Sequence, residues 1–442
     1  MSNLLHRSLK EPLPLIEHGM GVRLYDSNGK EYIDGSSGAF VVSLGHSNAE
    51  VLKSYNELIQ KITYVNGTQF TNENAEDLAK KLCEKSKKIG LNRCGFISSG
   101  SEAVEAALKL ARQIHIERGE KSRKIFISRT PSYHGNTLFA LSASGRPGYK
   151  KNFSDYLVHF ESLTTPYEYV ALNNITSNSK TYLAEPYLDE LSKKIASIGK
   201  DNIAGLILEP ISGSSVAGAL PPSGYLKGIE KICKANGILT IADEVLVGMG
   251  RTGTYYASEH DSFNPDFLTL GKGLNGGLTA LSAVLTREEH FETIRNGSKK
   301  LDHAQTFMHC PGSVAAGIAV FDYFEKHLVL KNVIQIGDYL NQKLRSAFEN
   351  HDHVGFISNI GLLFGIEIVE NKSNKSPFPI ERKITEKLTH AALESGLTLW
   401  PNTGHRENGD GDIILLGPPL VLNRSEADEI VTRLLLAFDS VF

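Results

Sequence analysis

The sequence is short of every feature that would take it out of the globular class. Its 442 residues include four cysteines, Cys83, Cys94, Cys233 and Cys310, with no C-x-x-C pair among them. That scatter excludes a disulfide-stapled scaffold and reads as reduced, mostly buried thiols in a cytoplasmic protein. Long apolar runs are missing: Leu206-Ile207-Leu208 and Leu434-Leu435-Leu436 fall far short of the roughly 20 residues that span a membrane. Residues 1–11 carry charges and no apolar stretch of the kind a secretory leader needs. Neither sign of charge dominates, since 47 Lys plus Arg stand against 50 Asp plus Glu for a net charge of −3. Such a balance provides no footprint for nucleic acid or an anionic membrane. Internal repeats and low-complexity tracts are absent too.

What is present is a core and a large supply of glycine. An apolar fraction of 41% suffices for a large interior, and at roughly 150 residues per domain the length suggests two or three domains. Near the N-terminus, residues 22–25 and 31–33 flank Asn28-Gly29, a dipeptide suited to positive φ, and predict a hairpin. After it, short apolar strands alternate with amphipathic helices. Strands are expected at 94–97, 124–128, 156–160, 203–208 and 238–242. Helices are expected at 102–115, with Val104, Leu108, Ala111 and His115 on one stripe, and at 224–236, stopped by Gly237. This alternation predicts an α/β fold with a mostly parallel sheet covered by helices on both faces. From Val314 the helices lengthen, and strands at 361–369 and 412–416 suggest a smaller α+β unit. The expected division is 1–55 as a segment packing with the small domain, 56–313 as the large domain and 314–442 as the small one.

Four local features fall at the ends of predicted strands, where open α/β sheets bind ligands. Ser99 and Glu102 in Ser98-Ser99-Gly100-Ser101-Glu102 have capping-box spacing, and a helix N-terminus with a hydroxyl can cradle a phosphate as well as cap a helix. The run is neither a Walker loop nor a G-x-G-x-x-G fingerprint. Tyr133-His134-Gly135 offers a stacking ring and a proton carrier, or a turn with exposed aromatics. Asp243-Glu244 follows a β-rich run, where acids need a partner, a cap or an ion pair. Gly271-Lys272-Gly273 puts a lysine at the end of an apolar strand, which is unusual for that residue. A buried lysine with a lowered pKa is what Schiff-base chemistry requires. The P-loop alternative fails, because Gly273 stands where Ser or Thr is needed.

Taken in order, these blocks resemble a known family, the class III (ω-type) aminotransferases, pyridoxal-phosphate enzymes of fold type I. Asp243-Glu244-Val245, Gly248-Met249-Gly250-Arg251-Thr252-Gly253, Pro265-Asp266 and Gly271-Lys272-Gly273 are similar to the family signature. Ser99-Gly100-Ser101-Glu102-Ala103, Tyr133-His134-Gly135, Glu209-Pro210-Ile211, Thr306-Phe307 with Pro311, and Pro418-Pro419-Leu420 match further blocks, so the similarity spans nearly the whole chain. The resemblance implies a large domain plus a smaller α+β domain, a homodimer with shared active sites, and pyridoxal 5'-phosphate as cofactor, with no metal. It makes Lys272 the Schiff-base lysine and Asp243 the acid that keeps the pyridine nitrogen protonated. Tyr133 and Val245 take the two ring faces, Gly100 and Ser101 the phosphate, and Thr306 the phosphate of the partner's site. His134 and Glu209 belong beside the cofactor. The implied reaction moves an amino group from an amine or ω-amino acid to a 2-oxo acid.

Departures from the family pattern narrow the substrate. The strand 412–416 carries no arginine of the kind that often serves 2-oxoglutarate, and Ser212 stands where members acting on 4-aminobutyrate or ornithine show an amide or acid. The stretch Gly38-Ala39-Phe40-Val41-Val42 instead resembles the ω-amine:pyruvate branch, with Phe40 walling the substrate pocket and pyruvate the expected acceptor. Arg406, in a glycine-rich loop, resembles the arginine that meets a carboxylate in that branch; alternatively it pairs with Glu407 or Asp410 in solvent. An aminomutase, racemase or decarboxylase on the same fold is the alternative activity.

Overall fold

The computed structural model describes residues 3–7, 12–174, 182–406 and 408–442. Parts of the 1–11 segment and Glu407 therefore lie outside the described residues. The N-terminal hairpin forms as expected and gains a third strand, giving an antiparallel sheet of β1 (Ile16–Met20), β2 (Arg23–Asp26) and β3 (Glu31–Ile33). Gly29 adopts φ 79°, and Asp26 Oδ1 accepts from the N–H groups of Asn28 and Lys30, closing the turn.

The central sheet holds β4 (Arg93–Ile97), β5 (Ile125–Thr130), β6 (Glu161–Thr164), β7 (Ile203–Leu208), β8 (Leu239–Asp243), β9 (Phe267–Leu270) and β10 (Ser282–Thr286). Their order is β4-β10-β9-β8-β7-β5-β6. Every pairing is parallel except those of β10 with β4 and β9. All residues of β7, β8 and β9 are buried, as expected of strands covered on both faces. The helix Gly100–Glu117 lays Val104, Leu108, Ala111 and His115 into this core, and His115 Nε2 sits 2.8 Å from the Ala204 carbonyl in β7. The helix Tyr225–Ala235 stops before Gly237, at φ 66°.

One strand expectation is corrected. Residues 156–160 are not extended pairing partners: Tyr156 closes a short 3₁₀ turn, and the strand begins at Glu161. The apolar character there reflects Phe160, whose ring stacks on Phe126 at 5.7 Å and packs on Phe139 at 5.5 Å.

A third sheet, antiparallel throughout, contains β11 (Val354–Ile360), β12 (Leu363–Ile368), β13 (Trp400–Thr403) and β14 (Asp412–Leu416) in the order β11-β12-β14-β13. The chain ends meet on it: Ile33 N donates to Gly396 O at 2.8 Å, and Thr398 N to Ile33 O at 3.0 Å. Arg23 bridges to Glu429 at 2.6 Å, and Arg433 to Glu31 at 3.0 Å. The expected boundary at 313/314 falls inside the helix Pro311–Lys326, where Gly317 packs tightly on Leu78 and Leu281.

Candidate active site

Six strands of the central sheet, all but β10, run the same way. Their carboxyl ends therefore share one edge, and each delivers a loop to it. A cavity of about 190 Å³ opens there. Lining it are Gly100 and Ser101 from the loop after β4, Tyr133 and His134 after β5, and Glu209 and Ser214 after β7. Asp243 and Val245 come from the end of β8, and Lys272 follows β9.

The two acids after β8 face opposite ways. Asp243 turns into the cavity, where its Oδ2 lies 2.7 Å from His134 Nδ1 and its Oδ1 accepts from Thr269 Oγ1 at 3.1 Å. The other ring nitrogen, His134 Nε2, is buried with no partner among the described residues. Glu244 turns away, fully buried, and accepts from Ser258 N at 2.8 Å and from Ala257 N. Burial pushes its carboxyl up to about 7 against those hydrogen bonds.

Lys272 follows Gly271 at φ 43°, in the left-handed region that side-chain-bearing residues adopt uncommonly. Burial is the largest influence on its amine and lowers it to about 8, assisted by Arg251 and opposed by Asp243 and Glu209. Its Nζ stands 5.4 Å from the centre of the Phe40 ring. Phe40 is buried beside Trp400 at 5.9 Å and is not among the cavity-lining residues.

Close backbone contact shapes the other wall. A Cβ on Gly100 would come within 2.6 Å of Val245 Cγ1, and one on Gly135 within 2.5 Å of Ser101 Oγ. Ser99 Oγ caps the helix by accepting from Glu102 N at 3.3 Å, and Ser101 Oγ accepts from Asn136 N at 3.0 Å. Glu209 holds the Tyr133 loop: its Oε1 accepts from Tyr133 N at 3.2 Å and its Oε2 from Ser212 Oγ at 3.1 Å. Its carboxylate touches no arginine among the described residues; Arg129 donates to its backbone carbonyl instead.

Thr306, expected at the partner's site, and Arg406 do not line this cavity either. Thr306 is exposed and outside the cavity lining, its carbonyl accepting from Tyr64 OH at 2.9 Å. Arg406, expected to meet a substrate carboxylate, is engaged within the chain. Its Nη2 donates to Glu367 Oε1 at 2.8 Å, its Nη1 to Lys375 O at 3.0 Å, and its guanidinium lies 5.6 Å from the Tyr169 ring centre. Of the alternative partners, Glu407 lies outside the described residues, and toward Asp410 Arg406 N donates to the backbone carbonyl at 3.1 Å. Glu367 escaped the sequence reading, though an acid inside Leu362-Leu363-Phe364-Gly365-Ile366-Glu367-Ile368 is itself a signal of a buried charge that must be paired. The contributions of Thr269 and Ser214 to this site carried no comparable signal.

The model of the family described as aminotransferase class-III matches residues 5–438. An uncharacterized aminotransferase, YodT, of Bacillus subtilis is 35% identical over 431 residues, covering 98% of this chain and 96% of its own. The crystal structure of a thermostable (S)-enantioselective ω-transaminase from Thermomicrobium roseum superimposes with TM-score 0.89 at 30% identity, over 98% of this chain and 94% of that one. The ω-transaminase of Pseudomonas jessenii in complex with PMP does so with TM-score 0.89 at 29% identity, over 97% and 93%. The fold is that of fold type I transaminases, a mostly parallel sheet flanked by helices with a smaller domain beside it.

Proposed function

This chain belongs to the class III aminotransferases, which depend on pyridoxal phosphate, and from that premise we propose that it moves an amino group from an amine or ω-amino acid to a 2-oxo acid in two alternating half-reactions. Pyruvate is favoured over 2-oxoglutarate. The observation that carries the reading is Lys272, a buried amine lowered to about 8 in a cavity it shares with the paired acid Asp243.

The residues present fit the cofactor. Gly100 leaves no room for a side chain beside Val245, and Ser101 adds a hydroxyl to a helix N-terminus suited to a phosphate. Tyr133 and Val245 both line the cavity and would take the ring faces. When bound, pyridoxal phosphate supplies an electron-withdrawing ring that makes a substrate C–H acidic. This chain's own residues do the rest. Asp243, oriented by His134 and Thr269, would hold a proton on the ring nitrogen through its carboxylate oxygens. Lys272 Nζ, part neutral near pH 8, would take and return the substrate proton. Glu209 keeps the Tyr133 loop in place.

The acceptor preference is supported by Arg406, engaged by Glu367, and by the absence of arginine from β14. The exposure of Thr306 supports a homodimer in which it completes the partner's phosphate site. Among the described residues no helix is long and apolar enough to cross a membrane, and the unpaired cysteines support a cytoplasmic location. Single-turnover absorbance is the test. Amine alone should convert the bound cofactor to its pyridoxamine form, and pyruvate should restore it; a racemase or decarboxylase would not accumulate that form.

A further inference from the structure

We propose that the aromatic face of Phe40 holds the ammonium form of Lys272, so that this ring acts on the reacting amine and not as a wall for substrate. The inference deepens the aminotransferase reading above and rests on it only for the use made of Lys272.

The amine has no other close partner. Among the described residues Lys272 Nζ donates no hydrogen bond and makes no ion pair, so Asp243 and Glu209 raise it, and Arg251 lowers it, through space alone. Tyr133 and His134 line the same cavity, and His134 is turned to Asp243. What lies against the amine is the Phe40 ring, with Nζ over it and 5.4 Å from its centre. That is inside the roughly 6 Å at which an ammonium is drawn to the negative face of an aromatic ring, and the attraction grows where water is excluded. Phe40 is fully buried, and burial is the largest influence on the amine.

The chain holds the ring in this place from several sides. Ser37, Gly38 and Phe40 adopt φ of 48°, 65° and 63°. Such values are uncommon for residues with side chains and persist only where the surroundings over-determine them. Here Asp34, itself fully buried, takes Gly38 N on both carboxylate oxygens at 3.0 and 2.8 Å. It also accepts from Thr398 Oγ1 at 2.9 Å, with His46 Nε2 3.0 Å away. Ser37 Oγ donates to Gly417 O at 2.6 Å, and a Cβ on Gly417 would collide with Phe40 Cδ1 and Cε1. Ser43 Oγ donates to Gly273 O at 3.1 Å and so ties the same segment to the loop of the lysine.

The chemistry gives the arrangement a purpose. Burial alone drives the amine toward its neutral form. A carboxylate in contact would oppose this but could itself take the proton. A ring face opposes it and has no site for the proton, so the proton stays available to substrate.

The test reads the amine directly. In the full chain without cofactor, acetylation of Lys272 is followed against pH by peptide mass spectrometry, in wild type and in Phe40→trifluorophenylalanine. Fluorination keeps the ring's shape and removes the negative charge of its face. The labelling midpoint should fall by about 0.5–1 pH unit, the shift implied by losing such a contact, and monofluorination should give a smaller fall. In the holoenzyme loaded with pyridoxamine phosphate and mixed with pyruvate, the acid limb of the amination rate should move to lower pH by the same amount. A ring that only fills space would do so with or without fluorine, and an unmoved labelling midpoint overturns the proposal. A midpoint that falls beside an unmoved acid limb upholds Phe40 and overturns instead the role given to Lys272 in the aminotransferase reading.

Discussion

Two regions of this molecule bury a carboxylate beside a histidine, a basic side chain and tyrosine rings, and they end in opposite states. At the edge of the central sheet, Asp243 meets His134 and Thr269 in an open cavity, and the nearby Lys272 amine is lowered to about 8. In the third sheet, Glu367 accepts from Tyr167 OH at 2.9 Å and Arg406 Nη2 at 2.8 Å, with His405 Nε2 3.1 Å away. Burial pushes Glu367 up, yet His405 and Arg406 hold it below the usual carboxylate range. Glu367 in turn helps keep Arg406 above its ordinary value despite burial. Orphaned atoms do not separate the regions, since His134 Nε2 in one and His405 Nδ1 and Arg406 Nε in the other all lack partners among the described residues. Charge balance does. The first region leaves a base poised; the second neutralises its charges and holds a loop.

The comparison breaks most directly at Lys272. Lys272→Ala should lower multiple-turnover transamination by roughly 10⁴-fold while the protein remains folded, as general-base removal at a committed site does. Steady-state rate and circular dichroism, taken together, check this; normal turnover would remove Lys272 from the chemistry. Asp243→Asn should follow at about 10²–10³-fold, the scale for losing one preorganised electrostatic partner. Cofactor occupancy should stay near normal. If occupancy and rate fall together, Asp243 is part of the scaffold and the contrast with Glu367 disappears.

Arg406→Ala tests the other half. Removing the guanidinium leaves Glu367 buried and short of a partner, so stability should drop by about 3–5 kcal/mol near neutral pH. The sign of the pH dependence follows from the depressed carboxyl. Its stabilisation is present above the unfolded value near 4.5 and is lost as pH falls through the lower folded value. Denaturant titrations of wild type and variant should therefore converge on acidification. A variant as stable as wild type that instead loses pyruvate selectively would return the carboxylate role to Arg406.

The two regions also differ in how far their residues can be read from the chain. Asp243, Lys272, Gly100 and Tyr133 each sit within a few residues of a strand end, so local pattern and spacing place them on one sheet edge. Arg406 looks like a mobile loop residue because its partner, Glu367, lies 39 positions away in a strand. Arg146 and Asn402 are 256 positions apart, and nothing local in either segment announces their contact. Residues 156–160 misled for a related reason: an aromatic that fills a tertiary gap leaves the same apolar mark as a strand. Strand β10 passed unnoticed although it alone in the central sheet runs against the other six, since direction within a sheet leaves no trace in periodicity.

The smallest effect is also the sharpest measure of the poised region. In the chain stripped of cofactor, the rate at which a small acetylating reagent modifies Lys272 should follow the neutral amine and reach half its plateau near pH 8. An ordinary lysine would go on climbing about tenfold per pH unit toward roughly 10.4. Peptide mass spectrometry resolves Lys272 from the surface lysines, which serve as internal controls. Between about 8 and 10.5 the unfolded chain binds the extra proton, so this group makes stability rise with pH across that window. Asp243 raises the amine while burial and Arg251 lower it, so Asp243→Asn should move the labelling midpoint below 8. An unmoved midpoint would mean that Asp243 and Lys272 do not sense one another across the cavity, and the poised base would then be the work of burial with Glu209 and Arg251.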